Sequence, residues 1–169
     1  MNIFVLDYDP RVAAQMMCDK HVVKMIVEGC QMLSTVHHLG GCNETFLYKK
    51  SFMNHPCTVW SRASSHNYLW LAQHTHELSN EYTYRYGKTH KAHDLTQWFV
   101  SNIPRYIITN GEARTPFAQA MPDQYKVADD AVSAYRNYYL GEKKRFAKWS
   151  KRNIPEWYSE GLTRQEILV

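Results

Sequence analysis

Asp9-Pro10-Arg11-Val12-Ala13-Ala14-Gln15-Met16-Met17-Cys18-Asp19-Lys20-His21-Val22-Val23-Lys24-Met25-Ile26-Val27-Glu28 decides the fold class. Its first two residues are a helix start, an N-cap acid followed by proline at the first helical position. Apolar residues then recur with helical period, and the pattern runs to about His38, where Gly40-Gly41 stops it. At about 100° per residue, one stripe collects Val12, Met16, Val23, Ile26, Cys30 and Leu33, which makes it the core face. Asp19 and His37 fall on that stripe. A carboxylate there must be paired or hydrogen-bonded, because an unpaired buried charge is costly. Asp19 therefore reads as a structural ion pair or a cap, with a catalytic or ligand role as the alternative. His37 reads as a satisfied core histidine near the helix end.

A second stripe holds Met17, Lys20, Lys24, Glu28, Gln31 and Thr35, with His21 at its edge. Lys20, Lys24 and Glu28 are successive i,i+4 neighbours. Two lysines, a histidine and a glutamate on one face suit acid–base chemistry or Schiff-base formation. A solvated charged face is the competing reading.

Outward from this helix the same period dominates. A loop is expected from Gly41 to Pro56, and a second long helix from about Thr58 to Tyr86, stopped by Gly87. A shorter helix fits Asp94 to Asn102, ended by Pro104. Residues Arg105 to Pro122 read as irregular or short helical structure, and a last helix fits Asp129 to about Trp149. The tail carries Pro155-Glu156-Trp157-Tyr158, whose aromatics dock on the body, and Ile3 to Leu6 read as extended. There is no repeat and no linker. The expectation is an all-α fold, one domain over residues 1–169, with two long helices plus shorter C-terminal ones.

Composition agrees with a globular chain of 169 residues, 44% hydrophobic and 21% charged. No apolar run approaches the ~20 residues of a membrane span, and the N-terminus has no basic stretch before its apolar residues. The chain reads as soluble and cytoplasmic. The four cysteines, Cys18, Cys30, Cys42 and Cys57, form no CxxC pair and are expected to be reduced. Among nine histidines, His37, His38 and His55 could converge with Cys42 and Cys57 as a metal set, but no pair has a zinc spacing. No metal and no cofactor are expected.

Two further stretches bear on ligands. Met53-Asn54-His55-Pro56-Cys57-Thr58-Val59-Trp60-Ser61-Arg62 is a rigid polar turn feeding a helix start. It groups Asn54, His55, Trp60 and Arg62 where helix amides favour anions. Trp60 shares a stripe with Asn67 and His74, residues that either satisfy buried partners or line a cleft. Net charge is only +4, yet six of the ten residues from Lys143 to Arg152 are basic, with Phe146 and Trp149 among them. Lys143, Lys144, Arg145 and Lys148 in that setting suit a nucleic-acid backbone, or else a solvated helix face with two core anchors. Arg85 and Lys88, at the end of the second long helix, suit either a helix dipole or a phosphate.

Asp19-Lys20-His21 ahead of Lys24 and Glu28, then Asn54-His55-Pro56 with Trp60, then Tyr84-Arg85-Tyr86-Gly87, resembles the pyrimidine-dimer DNA glycosylase/AP lyase superfamily over about residues 10–90. That group is known from phage repair enzymes and a broader set of small bacterial and phage homologues. The resemblance implies a mostly helical fold, damaged or modified duplex DNA as substrate, a bacterial cytoplasm as the setting (phage-encoded or not), and no metal. It also implies an α-amine, that of the residue after Met1, attacking the sugar C1′ with a first-helix glutamate assisting, and a nucleotide flipped out of the stack. Asn2 stands where the family carries a small residue, and Lys20-His21 falls near its Arg-Glu pair, with Glu28 two turns on. The expected roles are Glu28 as general acid/base, Lys20 and Lys24 as nucleophile or phosphate clamp, and His21 assisting. An enzyme of free nucleotides or nucleobases, and a non-catalytic helical module keeping the fold, are the alternatives.

Overall fold

The computed structural model describes residues 1–107 and 113–167. Among them the regular structure is helical, with no strand. Asp9 caps α1 (Pro10–Met16), its carboxylate accepting from the Arg11 and Val12 amides at 2.8 and 3.0 Å. α2 (Asp19–Leu39) follows and ends at Gly40. The helix expected from Pro10 to His38 is thus broken at Met17-Cys18, both extended. The break is stable because distant groups satisfy the backbone there. Arg85 donates to the Gln15 carbonyl at 3.0 Å, Trp149 donates to that of Met16 at 2.8 Å, and the Asp19 amide donates to the Lys148 carbonyl at 2.8 Å.

The second long pattern is broken as well, into α3 (Pro56–Ser61) and α4 (Ser65–Tyr86). Ser64 caps α4 by accepting from the Asn67 amide at 3.1 Å, and Asn67 donates to the Trp60 carbonyl at 2.8 Å, closing the end of α3. Gly87, at φ +65°, terminates α4 in the left-handed conformation that glycine takes without strain. α5 (His93–Ser101) lies close to its expected bounds.

α6 (Ala131–Tyr138) is shorter than the helix expected to reach Trp149. It widens into a π-helical turn over Tyr139–Lys143 and then into turns. Gly141 lies in that turn, where an added Cβ would come within 2.6 Å of the Tyr125 ring. The tail forms α7 (Glu156–Ile167) directly after Pro155, and its aromatics do dock: Tyr158 is buried, 4.8 Å from the Trp149 ring.

α2 and α4 cross closely. Gly29 faces the Thr75 side chain, which a Cβ at that position would meet at 2.3 Å. Ile3 to Leu6 run through the core, none more than 5% exposed, but they depart from the extended run expected, because Phe4 lies at φ +41° and Leu6 in a bend. The four cysteines are free, and Asp19 is held in an ion pair with Arg85 at 2.8 Å. No described helix is long and apolar enough to cross a membrane.

Candidate active site

The buried run Ile3–Leu6 determines where the first two residues go. Asn2 turns the chain: its Oδ1 accepts from the amides of Ile3 and Phe4 at 2.7 and 3.2 Å, and its Nδ2 donates to the Ala120 carbonyl at 2.7 Å. These bonds hold Phe4 at φ +41°, a conformation strained for a bulky residue. The result lays the chain start against α2. The Met1 nitrogen is 3.5 Å from Glu28 Oε2, and the Asn2 amide donates to the same oxygen at 3.1 Å. The Met1 sulfur accepts from the Thr58 hydroxyl at 3.7 Å. The other Glu28 oxygen pairs with Lys24 Nζ at 3.2 Å, the i,i+4 contact that the sequence spacing sets up.

Glu28 opens into a cavity of about 410 Å³. Four cationic side chains line it, Lys20, Lys24, Lys143 and Arg145, and Glu28 is the one carboxylate among the lining residues. Such a bowl attracts a polyanion. Aromatic rings hold two of the cations in place. Lys20 Nζ sits 5.0 Å from the Phe146 centroid, and Lys143 Nζ sits 4.2 Å from that of Tyr138 and 3.1 Å from its hydroxyl.

His21 forms part of the cavity floor. Its ring stacks on Phe4 at 4.2 Å and its Nδ1 is hydrogen-bonded to the Tyr139 hydroxyl. Burial, followed by the charges of Lys143 and Lys24, pushes His21 down to about 3, so it is neutral at physiological pH. His55 caps α3, its Nδ1 accepting from the Cys57 amide at 3.2 Å. Its pKa is lowered by burial and then by the charge of the α-amine, with Glu28 opposing, although His55 is not among the residues that line the cavity.

Lys20, His21, Lys24 and Glu28 therefore converge, joined by Lys143 and Arg145 from more than a hundred residues away. Lys144 and Lys148 are exposed on the same segment. Asn54 is exposed in the turn before His55, and Arg62 is partly buried, donating to the Met53 carbonyl. Lys88 is exposed just past α4. Two expected DNA contacts are spent inside the fold. Arg85 has a fully buried side chain, bonded to Asp19 at 2.8 Å and to Glu81 at 2.7 Å. Trp60 is 5% exposed, with the Phe117 and Trp70 rings 5.0 and 6.1 Å from it. Two histidines of the candidate metal set have other partners: His37 bonds the Tyr68 hydroxyl at 2.7 Å, and His38 bonds the Cys42 and Tyr48 carbonyls, each at 2.9 Å.

Reasoning from the residues missed Phe4, Tyr138 and the place of Met1 beside Glu28, and the amine after Met1 entered only through the family resemblance. One signal was available. Four consecutive apolar residues at positions 3–6 oblige the chain start to enter the core, and the first residues must then lie against a helix.

An α-amine, a carboxylate able to take its proton, cations for phosphates and rings for a sugar or base are the parts of an amine-dependent reaction on a nucleotide. No curated protein and no solved structure matches the chain. A family model described as pyrimidine dimer DNA glycosylase matches residues 1–95, more than half of the chain and the part that carries Met1, Asn2, Lys20, Lys24, Glu28 and His55. The chain belongs to the pyrimidine dimer DNA glycosylase family.

Proposed function

We propose that this protein is a DNA glycosylase with AP lyase activity on damaged or modified pyrimidines, and that its nucleophile is the α-amine of the chain start. One observation carries the reading: the nitrogens of residues 1 and 2 lie on the same Glu28 oxygen, at 3.5 and 3.1 Å, at the edge of a four-cation cavity. Whichever of Met1 and Asn2 bears the free amine, that amine is delivered to Glu28. Lys24 also touches Glu28, but its side chain is 68% exposed and spans into solvent. A buried, oriented amine is the better placed attacker.

The amine lone pair attacks C1′ of the damaged nucleotide and the bond from C1′ to the base breaks, the base taking the electron pair and then a proton from water. Glu28 takes the proton that the amine loses and returns it to O4′ as the sugar ring opens to give an iminium at C1′. Removal of a C2′ proton then expels the 3′ phosphate by β-elimination. Lys20, Lys143 and Arg145 hold the flanking phosphates, with Lys144, Lys148, Asn54, His55 and Arg62 extending the track. Neutral His21 supports Phe4 and the floor. A nucleotide reaches this cavity only by leaving the base stack.

The test uses duplex DNA carrying a cyclobutane pyrimidine dimer, and separately an abasic site, with borohydride present. Hydride reduction of the imine fixes protein to DNA. Mass spectrometry is expected to find the adduct on the N-terminal residue, and the adduct is expected to persist in Lys20→Ala and Lys24→Ala. An adduct on either lysine would overturn the α-amine assignment. Absence of any adduct or cleavage from folded protein would overturn the glycosylase reading in favour of a free nucleotide substrate or a binding role.

A further inference from the structure

Phe52 is the most exposed large apolar side chain among the described residues, at 62%, and it sits at φ +49°. A bulky residue in the left-handed region is strained, and an exposed ring gains no packing in return. The loop around it is nevertheless held firmly. Ser51 is tied to α2 on both sides of its backbone: its amide donates to the Thr35 hydroxyl oxygen at 3.0 Å, and its carbonyl accepts from the same group at 2.9 Å. The Phe52 carbonyl accepts from the His55 amide at 3.0 Å, and Arg62 donates to the Met53 carbonyl. Phe52 and Met53 (38% exposed) are thus displayed on a rigid tip between the Thr35 anchor, on the α2 stripe that carries Glu28, and His55, which caps the helix whose Thr58 bonds the Met1 sulfur. Lys49 and Lys50, both exposed, precede the tip.

We infer that Phe52, with Met53 beside it, is a wedge that enters the base stack of duplex DNA at the lesion. Lys49, Lys50 and Arg62 take the adjacent phosphates, and the ring fills the space vacated as the nucleotide turns toward Glu28. An apolar side chain between base steps unstacks them at a cost that the new contacts offset, and cations on either side of an aromatic match the charged backbone flanking an apolar stack. This inference rests on the glycosylase reading above and adds to it how the duplex is opened.

The experiment compares single-turnover cleavage of a pyrimidine dimer in duplex and in single-stranded DNA, with 2-aminopurine beside the lesion reporting unstacking. Phe52→Ala is expected to lower the duplex rate roughly tenfold or more, to abolish the fluorescence rise, and to leave the single-stranded rate within about twofold. Phe52→Gly relieves the positive φ, so it should match or exceed the wild-type thermal midpoint while showing the same duplex defect. Phe52→Trp should restore both signals. Duplex rates within about twofold of wild type in both truncations, or equal losses on duplex and single-stranded DNA, would overturn the wedge and leave the glycosylase reading standing. Wild-type protein that cleaves neither substrate would overturn the glycosylase reading, and the wedge with it.

Discussion

Asp19 and Glu28 are carboxylates on one helix, about two and a half turns apart, and their surroundings are opposite. Asp19 belongs to a closed network. It accepts from Arg85 at 2.8 Å and from the Ser150 amide and hydroxyl at 2.9 and 2.7 Å, while Glu81 accepts from both Arg85 and Arg152. Burial raises the Asp19 carboxyl, but Ser150 and Arg85 together pull it below its ordinary value. Glu28 has partners too, yet one is the chain-start nitrogen and another an exposed lysine, and the group faces a cavity. The same residue types either fix the fold or face a substrate, depending on whether the donors around the carboxylate can be given up to a ligand. Arg85 cannot leave Asp19 without taking a partner from both the half-buried Asp19 and the buried Glu81. Lys24 can turn to a phosphate with little loss, since exposed pairs contribute little.

Exchanging the two clusters by mutation sharpens that contrast. Glu28→Gln keeps the shape and can still accept a hydrogen bond, but it cannot take a proton. Trapping and cleavage rates should fall by about 10²–10⁴, with unfolding free energy within about 0.5 kcal/mol of wild type. Arg85→Ala should do the reverse. Removing it leaves Asp19 and Glu81 short of their buried partner, at a cost of about 3–5 kcal/mol in urea unfolding. Among molecules that remain folded, trapping per molecule should be near normal. A stability loss from Glu28→Gln as large as that from Arg85→Ala would erase the distinction.

The contrast also explains what could be read in the chain and what could not. Asp9-Pro10, Gly40 and Gly87 are local signals and gave the helix ends correctly. The Met17-Cys18 break has no local signal, because the groups that stabilise it, Arg85, Lys148 and Trp149, come from far along the chain. Ser64 and Asn67 did carry a capping signal, masked by apolar periodicity on both sides. The pair Lys24 and Glu28 was legible from i,i+4 spacing. The approach of Met1 to Glu28 and the cations of the C-terminal segment depend on tertiary folding alone. Arg85 looked like a surface residue in Tyr84-Arg85-Tyr86, although Glu81, four residues earlier, was the clue that it is paired.

His21 ties the open site to acid stability. Its folded value is about 3 and its ordinary value is 6.5. Between those limits the unfolded chain binds a proton that the folded one does not, so this contribution is fully present above about pH 6.5 and is lost as pH falls toward 3. His21→Phe keeps the ring stacked on Phe4 and removes the titration. The slope of unfolding free energy against pH should drop by about one proton, about 1.4 kcal/mol per pH unit, between pH 4 and 6. An unchanged slope would mean that His21 is already charged in the folded protein.

The smallest effects separate the two clusters within a single segment. Lys144 and Lys148 are exposed and make no ion pair among the described residues, whereas Arg152 bonds Glu81 through two nitrogens at 3.0 and 2.8 Å. Each phosphate contact releases counterions, so log affinity falls with log salt in proportion to their number. Lys144→Ala and Lys148→Ala should each lower the magnitude of that slope for lesion-bearing duplex by about one and leave stability alone. Arg152→Ala should leave the slope unchanged and lower stability, because its charge is already neutralised by Glu81 and unavailable to DNA. Equal salt slopes for all three variants would show that the division between closed and open charges does not extend into this segment, and that its basic residues act on DNA only through their summed field.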